Sequence, residues 1–153
     1  MKIYLDGDGA PWRDLVSERA ERYGLAVVVV ADYSHYTPPE KGVERVMVDG
    51  GRDAADFAIV NRVQEGDLVI TLDIGLASLV LPKGATVISP RGYEFKEGSM
   101  ERRLAFRWLQ HKIRIAGGRT RGPKPFSEDD RTRFLALLEK KIIELTRRAD
   151  ESR

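Results

Sequence analysis

The sequence predicts one α/β domain, with a mainly parallel central sheet covered by helices and a helical C-terminal part. Short apolar runs alternate with helical patterns over residues 1–90, which is typical of strands joined by helical crossovers. The run 25–31 contains four consecutive valines and no polar residue, which indicates a strand buried on both faces. A length of 153 residues with 42% apolar content fits one domain. We expect a single domain over 1–153, with an α/β core over 1–92 and a basic helical part over 93–150.

The elements follow from local patterns along the chain. Apolar runs bounded by Asp, Gly and Pro predict strands over 3–5, 25–31, 43–48, 68–72 and 85–88. Helical spacing of apolar residues predicts helices over 15–23, 52–64, 74–81 and 98–115. A last helix is predicted from Ser127 to about Arg147, because serine is a good N-cap and acidic residues at 128–130 favour the positive end of the helix dipole.

The composition excludes several kinds of site. The chain has no cysteine, which excludes disulfides, zinc–thiolate sites and thiol nucleophiles. No apolar run approaches the roughly 20 residues of a membrane span, and the N-terminal residues lack the apolar region of a signal peptide. We therefore expect a cytoplasmic protein with no membrane partner. The sequence is compatible with a homo-oligomer and does not determine the oligomeric state.

Charge is distributed unevenly along the chain. Residues 1–90 carry a net charge of −5 and residues 91–153 a net charge of +7. An acidic front and a basic back are expected when one part binds metal and another binds phosphate. A solvated basic helix explains the same composition. If the basic part binds nucleic acid, the expected contacts are Arg91, Arg102, Arg103, Arg107, Arg119, Arg121 and Lys124.

Aspartates follow the predicted strands at the edge where sites in parallel sheets form. They are Asp6 and Asp8 after the first strand, Asp32 after the second, Asp53 and Asp56 in the helix after the third, and Asp73 after the fourth. Several carboxylates this close repel one another, and a hard divalent cation relieves that repulsion. Mg²⁺ and Mn²⁺ prefer oxygen ligands, so the pattern predicts a Mg²⁺ or Mn²⁺ site. For any one aspartate alone a turn or a helix cap is the more common explanation, whereas Asp6, Asp8, Asp56 and Asp73 together at strand ends favour the metal site.

Several longer motifs resemble a known family. They are Asp6-Gly7-Asp8-Gly9-Ala10-Pro11, Gly51-Arg52-Asp53-Ala54-Ala55-Asp56, Gly66-Asp67-Leu68-Val69-Ile70-Thr71-Leu72-Asp73, Pro90-Arg91-Gly92 and Gly122-Pro123-Lys124-Pro125-Phe126-Ser127 with Asp130-Arg131. In this order they resemble the YaiI/YqxD family of uncharacterised bacterial proteins. The family's usual cysteine in the first motif is Ala10 here, so any role for that thiol is absent.

The resemblance implies a fold and a chemistry. The family is considered similar to PIN-domain nucleases, which have a three-layer α/β/α fold and an acidic cluster that binds Mg²⁺ or Mn²⁺. Carried over, the acids that would be catalytic and hold the metal are Asp6, Asp8, Asp56 and Asp73, with Asp53 as a further metal ligand.

The first functional hypothesis is a metal-dependent nuclease that acts on RNA. A metal-activated water would attack the phosphodiester, and the basic residues would hold the backbone. Trp12, Tyr33 and Tyr36 are candidates for base stacking, although core packing explains them equally well. His35 and His111 are isolated, which favours surface or packing roles.

Two alternatives stay open. A haloacid-dehalogenase-like phosphatase would use Asp6 as nucleophile and Asp8 as acid and base. The later motifs of that class are not recognisable in this sequence, and the chain is short for it. A non-catalytic module that binds RNA or metal is the other alternative.

Overall fold

A computed structural model describes residues 1–7, 11–33, 42–97 and 125–152, without the side chains of 51–53. The described strands form one six-stranded sheet in the order β3-β2-β1-β4-β5-β6. All neighbouring pairs are parallel except β5 with β6. The strands are β1 Lys2–Asp6, β2 Ala26–Asp32, β3 Val43–Val48, β4 Leu68–Ile70, β5 Thr86–Ile88 and β6 Glu94–Phe95.

Helices cover both faces of the sheet. They are α1 Arg13–Arg22, α2 Gly51–Arg62, α3 Ile74–Val80, which continues as a 3₁₀ turn over Leu81–Lys83, and α4 Glu128–Glu151. The apolar residues of α2 and α3 pack on one face, and those of α1 and α4 pack on the other. The result is a three-layer α/β/α arrangement in which the C-terminal helix is part of the core.

The neighbouring strands β2 and β1 explain why the core is divided in this way. Val28 and Val30 of β2 belong to the cluster under α2 and α3, whereas Val27 and Val29 belong to the cluster under α1 and α4. Successive side chains of a strand point to opposite faces, so a continuous valine run fills both clusters. Ile3, Tyr4 and Leu5 of β1 alternate in the same way.

The predicted fold class is confirmed, with differences at the element ends. The strand predicted over 68–72 ends at Ile70, because Thr71 and the residues after it turn into α3. The strand β6 is not predicted by the sequence, since its two residues pair antiparallel with β5 and carry too little pattern to recognise. The last helix continues beyond Arg147 to Glu151, and the predicted helix over 98–115 lies outside the described residues.

The start of α4 is held by local and distant contacts. Ser127 and Asp130 form a reciprocal capping box, in which each side chain accepts from the other's backbone N–H. The turn after β5 packs directly on this helix, because Gly92 has φ +90° and no Cβ to hold it away. A Cβ there would lie 2.8 Å from the carbonyl carbon of Arg133 and 2.9 Å from the nitrogen of Phe134.

None of the helices in the described ranges is long and apolar enough to cross a membrane.

Gly92→Ala is expected to destabilise the fold more than a matched glycine substitution. Gly66 has the same φ of +90° but nothing within 4 Å of an added Cβ. Gly66→Ala should therefore cost only the left-handed backbone term, about 1–2 kcal/mol, whereas Gly92→Ala should add about 1–3 kcal/mol of overpacking. Urea unfolding of both variants measures the difference. Equal decreases in unfolding free energy would show that the turn moves away from α4 without cost.

Candidate functional site

The carboxyl ends of the parallel strands form one edge of the sheet. From β1 the chain continues to β2 and β3 on one side, and later to β4 and β5 on the other. The strand order therefore reverses between β1 and β4, and in sheets of this kind ligands bind in the crevice outside such a reversal. Leu5 pairs with Ile70, so the next residues, Asp6 and Thr71, stand at the same level beside that crevice.

Thr71 connects two of the predicted acids. Its hydroxyl donates to Asp6 Oδ2 at 2.9 Å and accepts the backbone N–H of Asp73 at 2.9 Å. All three residues are buried, with exposed fractions of 8% for Asp6, 2% for Thr71 and 5% for Asp73. One hydroxyl proton donated to a carboxylate fixes which oxygen faces the threonine. Asp6 and Asp73 therefore belong to one buried hydrogen-bonded network.

Asp73 is also the N-cap of α3. Its Oδ1 accepts from Gly75 N at 2.8 Å and from Leu76 N at 3.4 Å. The cap places a carboxylate at the positive end of a helix, which favours its charged form. Asp73 therefore matches both interpretations of the sequence, since it caps a helix and also lies in the acidic network.

The backbone just after Asp6 lies against β2. A Cβ added at Gly7 would lie 2.8 Å from Ala31 Cβ and 2.9 Å from Val30 O. Only glycine allows this approach without a shift of one strand. The glycine of the first acidic motif thus has a packing reason, which fixes the direction in which the chain leaves β1 toward Asp8.

Of the other predicted acids Asp8, Asp53 and Asp56, the structure describes the side chain of Asp56 only. Asp56 is half-buried on α2, which begins three residues after β3 and so starts at the same edge. The backbone of Asp53 is in the first turn of α2, but its side chain is outside the described part, and so is all of Asp8. Among the described residues no group of three or more acids or histidines is close enough to hold a metal ion.

The chemistry of the available donors determines which cation would fit. The side chains of the network offer only oxygen atoms, from two carboxylates and one hydroxyl, which suits Mg²⁺ or Mn²⁺ and disfavours softer metals. Mg²⁺ is commonly held by one or two carboxylates together with waters and substrate phosphate. Asp6 and Asp73 are therefore compatible with such an ion, and Asp8, two residues from Asp6, is the predicted ligand that would add to them.

Arg91 lies in a cluster that sequence reasoning did not find. Its guanidinium forms an ion pair with Asp130 Oδ2 at 2.9 Å and stacks over the ring of Phe126, 4.3 Å from the ring centre. Trp12 and the same ring form an edge-to-face pair with 5.7 Å between centroids, and Trp12 Nε1 donates to Pro90 O at 2.8 Å. We call Trp12, Arg91, Phe126 and Asp130 the clamp.

Asp130 supplies the negative charge of the clamp and forms ion pairs with Arg91 and Arg133. The pKa of its carboxyl group is lowered from the ordinary 3.8, first by the hydrogen bond from the backbone N–H of Ser127 and then by the charges of Arg91 and Arg133. Burial opposes this by raising the pKa. The carboxylate accepts from Ser127 and both arginines, so it joins the turn after β5 to the start of α4.

The remaining predicted contacts divide into two groups. Tyr33 is 67% exposed directly after β2, whereas Trp12 is half-buried and packed in the clamp. The stacking role of Tyr33 stays a prediction. The others lie outside the described residues: Arg102, Arg103, Arg107, Arg119, Arg121, Lys124, Tyr36, His35 and His111.

Comparison with known proteins identifies relatives over nearly the whole chain. A family model described as "Uncharacterized BCR, YaiI/YqxD family" matches residues 4–144. A UPF0178 protein of Enterococcus faecalis is 46% identical over 97% of this chain and 99% of its own length. A UPF0178 protein of Bacillus anthracis is 42% identical over 93% of this chain and 99% of its own length. The alignment with the crystal structure of Rae1 (YacP) from Bacillus subtilis covers 94% of this chain and 99% of the Rae1 chain, with 19% sequence identity and a TM-score of 0.42.

Thr71→Val is expected to destabilise the protein by about 1–3 kcal/mol, because the buried carboxylate of Asp6 and the buried N–H of Asp73 would each lose the hydrogen bond to the Thr71 hydroxyl. Thr71→Ser keeps the hydroxyl and should be clearly less destabilised. Chemical denaturation of the two variants measures both values. A valine variant as stable as the serine variant would show that the hydroxyl does not hold the network together.

Stability at acid pH should depend on Asp130. Because its pKa is lower in the folded state than in the unfolded chain, its contribution is complete above the ordinary value of 3.8 and is lost as pH falls through the folded value. Asp130→Asn should therefore have a lower free energy of unfolding than wild type at about pH 7, and this difference between the two proteins should become smaller at about pH 3. Unfolding free energies at the two pH values test this. A gap of constant size would contradict the assigned ionisation.

Proposed function

The chain belongs to the YaiI/YqxD family, and from the site itself we propose that the protein is a metal-dependent nuclease acting on RNA. The observation that carries the proposal is the buried Asp6–Thr71–Asp73 network at the strand-order reversal. Two carboxylates held in one network at a ligand-binding edge are costly to bury unless a cation or tight hydrogen bonding compensates their charge.

The two acids are preorganised in different ways. Asp73 is fixed by the first turn of α3, and Asp6 by the hydroxyl of Thr71. Both anchors start from rigid elements of the sheet layer, which is what a catalytic constellation requires. The carboxylates of Asp6 and Asp73, with Asp8, would hold the ion, and Asp53 and Asp56 at the start of α2 are the further candidates.

The ion, when bound, would supply a water of lowered pKa and charge stabilisation for the phosphate oxygens. The protein's part would be to position the acids and to hold the polyanion. The basic residues Arg102, Arg103, Arg107, Arg119, Arg121 and Lys124 supply the positive charge for that last task. The resemblance to PIN-domain nucleases makes RNA the first substrate to test.

The phosphatase alternative predicts a different intermediate. If Asp6 were the nucleophile, a phosphoryl group would be trapped on its side chain during turnover of a phosphate monoester. In the structure Asp6 Oδ2 accepts a hydrogen bond from a threonine at the end of the neighbouring strand, which is equally suited to a metal ligand. Mass spectrometry of a quenched reaction separates the two, because water attack leaves Asp6 unmodified.

Asp6→Asn and Asp73→Asn are each expected to reduce Mn²⁺-dependent cleavage of single-stranded RNA by about 100-fold or more, since the metal supplies several kcal/mol of charge stabilisation. Gel analysis of a labelled oligoribonucleotide measures the rates. The proposal would be refuted if both variants cleaved at the wild-type rate, or if chelation of the metal left the wild-type rate unchanged.

Asp67→Asn provides a matched control for the removal of a buried carboxylate. Asp67 is 6% exposed and accepts from Lys2 N and Gln64 N, each at 2.9 Å, at the opposite, amino-terminal edge of the sheet. This variant should be less stable but keep cleavage at temperatures where it is folded.

Wild type, Asp6→Asn and Asp67→Asn also report on metal binding, because Mn²⁺ should raise the Tm of wild type and Asp67→Asn more than that of Asp6→Asn.

A further inference from the structure

We propose that the outward face of α4 binds the phosphate backbone of an RNA strand through Arg133, Lys140 and Arg147. We call these three residues the outer row. The inference rests on the proposed function for the identity of the polyanion. It gives a role to a positively charged surface that lies outside the acidic site.

The middle of α4 carries an excess of positive charge. Residues 131–149 contain six Lys or Arg and two Glu, which leaves a net charge of +4. Both acids have partners on the flanks of the helix, Glu139 with Arg19 at 3.1 Å and Glu144 with Lys141 at 3.1 Å. The acids within this stretch therefore do not compensate the cations that point outward.

The outer row is a line of cations along one side of the helix. Its members are seven residues apart, and seven residues bring a helical position back to within about 20° at a rise of about 10.5 Å. All three are exposed, and the side chain of Arg133 stays 56% exposed beside its partner Asp130. Within the ranges that the structure describes, Lys140 and Arg147 have no ion-pair partner. The buried side of α4 is marked by Phe134, Leu138, Ile142 and Leu145.

The helix leads from the acidic edge of the sheet to the opposite edge. Its first turn is joined to the turn after β5 through Asp130 and Arg91. Near its other end Arg148 lines a cavity with Gly66 and Gly84, which lie in the turns before β4 and β5. The outer row extends about 21 Å in this direction, which corresponds to about six phosphates of a stacked strand at about 3.4 Å each. A strand that reaches the acids can therefore continue along the row.

The chemistry of this face favours a phosphate backbone over a membrane or a protein. Phosphates are bound by cations, whereas a membrane-bound helix needs a broad apolar face and a protein interface needs an apolar or aromatic centre. Along the whole described length of α4, Ile143 is the one large apolar side chain that is exposed, at 39%. One such residue is too little apolar surface for either a membrane or a protein partner.

Lys140→Ala combined with Arg147→Ala removes two charges of the outer row. We call this protein the row variant. Alanine suits a helix and both positions are exposed, so the fold should stay intact. Each phosphate contact on a single strand releases about 0.7 counterion, which is about fivefold in affinity at about 0.1 M salt. The row variant should therefore bind single-stranded RNA about 25-fold more weakly, with a log–log salt slope shallower by about 1.4.

Arg62→Ala combined with Lys83→Ala is the matched control. It removes the same two residue types and the same net charge, but both residues are exposed in the layer of α2 and α3 on the other face of the sheet. Their side chains donate to the carbonyl oxygens of Ala58 and Val60 in that layer. The control variant can therefore have a lower Tm, but its RNA affinity and salt slope should stay close to those of wild type.

Fluorescence anisotropy with labelled single-stranded oligoribonucleotides of increasing length, in EDTA, measures binding without cleavage, after circular dichroism has shown that each variant is folded. The difference in affinity between wild type and the row variant should grow with strand length until the row is covered. A row variant that binds as tightly as the control variant would show an effect of net charge alone and overturns the inference. Wild-type protein that binds vesicles containing phosphatidylserine but not RNA also overturns it.

The same measurements separate this inference from the nuclease proposal. Wild-type protein that binds RNA through the outer row, but does not cut it in Mn²⁺, refutes the nuclease proposal and leaves the role of α4 intact. Wild-type protein that cuts RNA, together with a row variant that keeps the wild-type affinity, supports the nuclease proposal and overturns the role of α4.

Discussion

The parallel pairing of β1 with β4 places Leu5 opposite Ile70, and the candidate site depends on this register. One residue further, Asp6 and Thr71 stand side by side, where the hydroxyl can reach the carboxylate. A shift of one residue would turn every side chain of the strand to the other face and break both the core and the hydrogen bond. The apolar core therefore fixes the register, and the register brings the polar residues together.

The capping geometry of α3 completes that arrangement. Thr71 accepts the N–H of Asp73, and Asp73 accepts N–H groups of the first turn of α3. Each group satisfies the next, so a buried polar chain runs from β1 through the end of β4 into a helix. Such chains are stable only when every member has a partner, and they hold their members in one geometry. This rigidity distinguishes the network from carboxylates that merely share an edge.

Local patterns in the sequence are sufficient to predict the layers of the fold. The valine run, the periodicity of α2 and the Ser127 cap each depend on neighbouring residues, so they can be recognised without coordinates. The acid-bearing edge follows from the same alternation of strands and helices. Thr71 could be found from its position two residues before Asp73 at a strand end, but its link to Asp6 spans 65 positions and depends on register. The strand β6 is defined by the antiparallel pairing of Glu94 and Phe95 with β5, which local sequence does not reveal. An ion pair of 2.7 Å between Glu94 and Lys141 of α4 holds β6 in place.

Arg91 shows that a charge pattern does not reveal the partners of a residue. By composition it belongs with the arginines at 102, 103, 107, 119 and 121, which is why the sequence predicts the same phosphate-binding role for all of them. In the structure an acid 39 positions away and an aromatic ring set its environment. A cation with a buried carboxylate partner and a stacked ring contributes to the fold through both contacts, whereas a cation that binds a polyanion must keep its charge available to solvent. Among the described arginines of residues 91–153, Arg91 is 21% exposed with its guanidinium over Phe126, whereas Arg133, which pairs with the same carboxylate, is 56% exposed, so burial rather than charge distinguishes them.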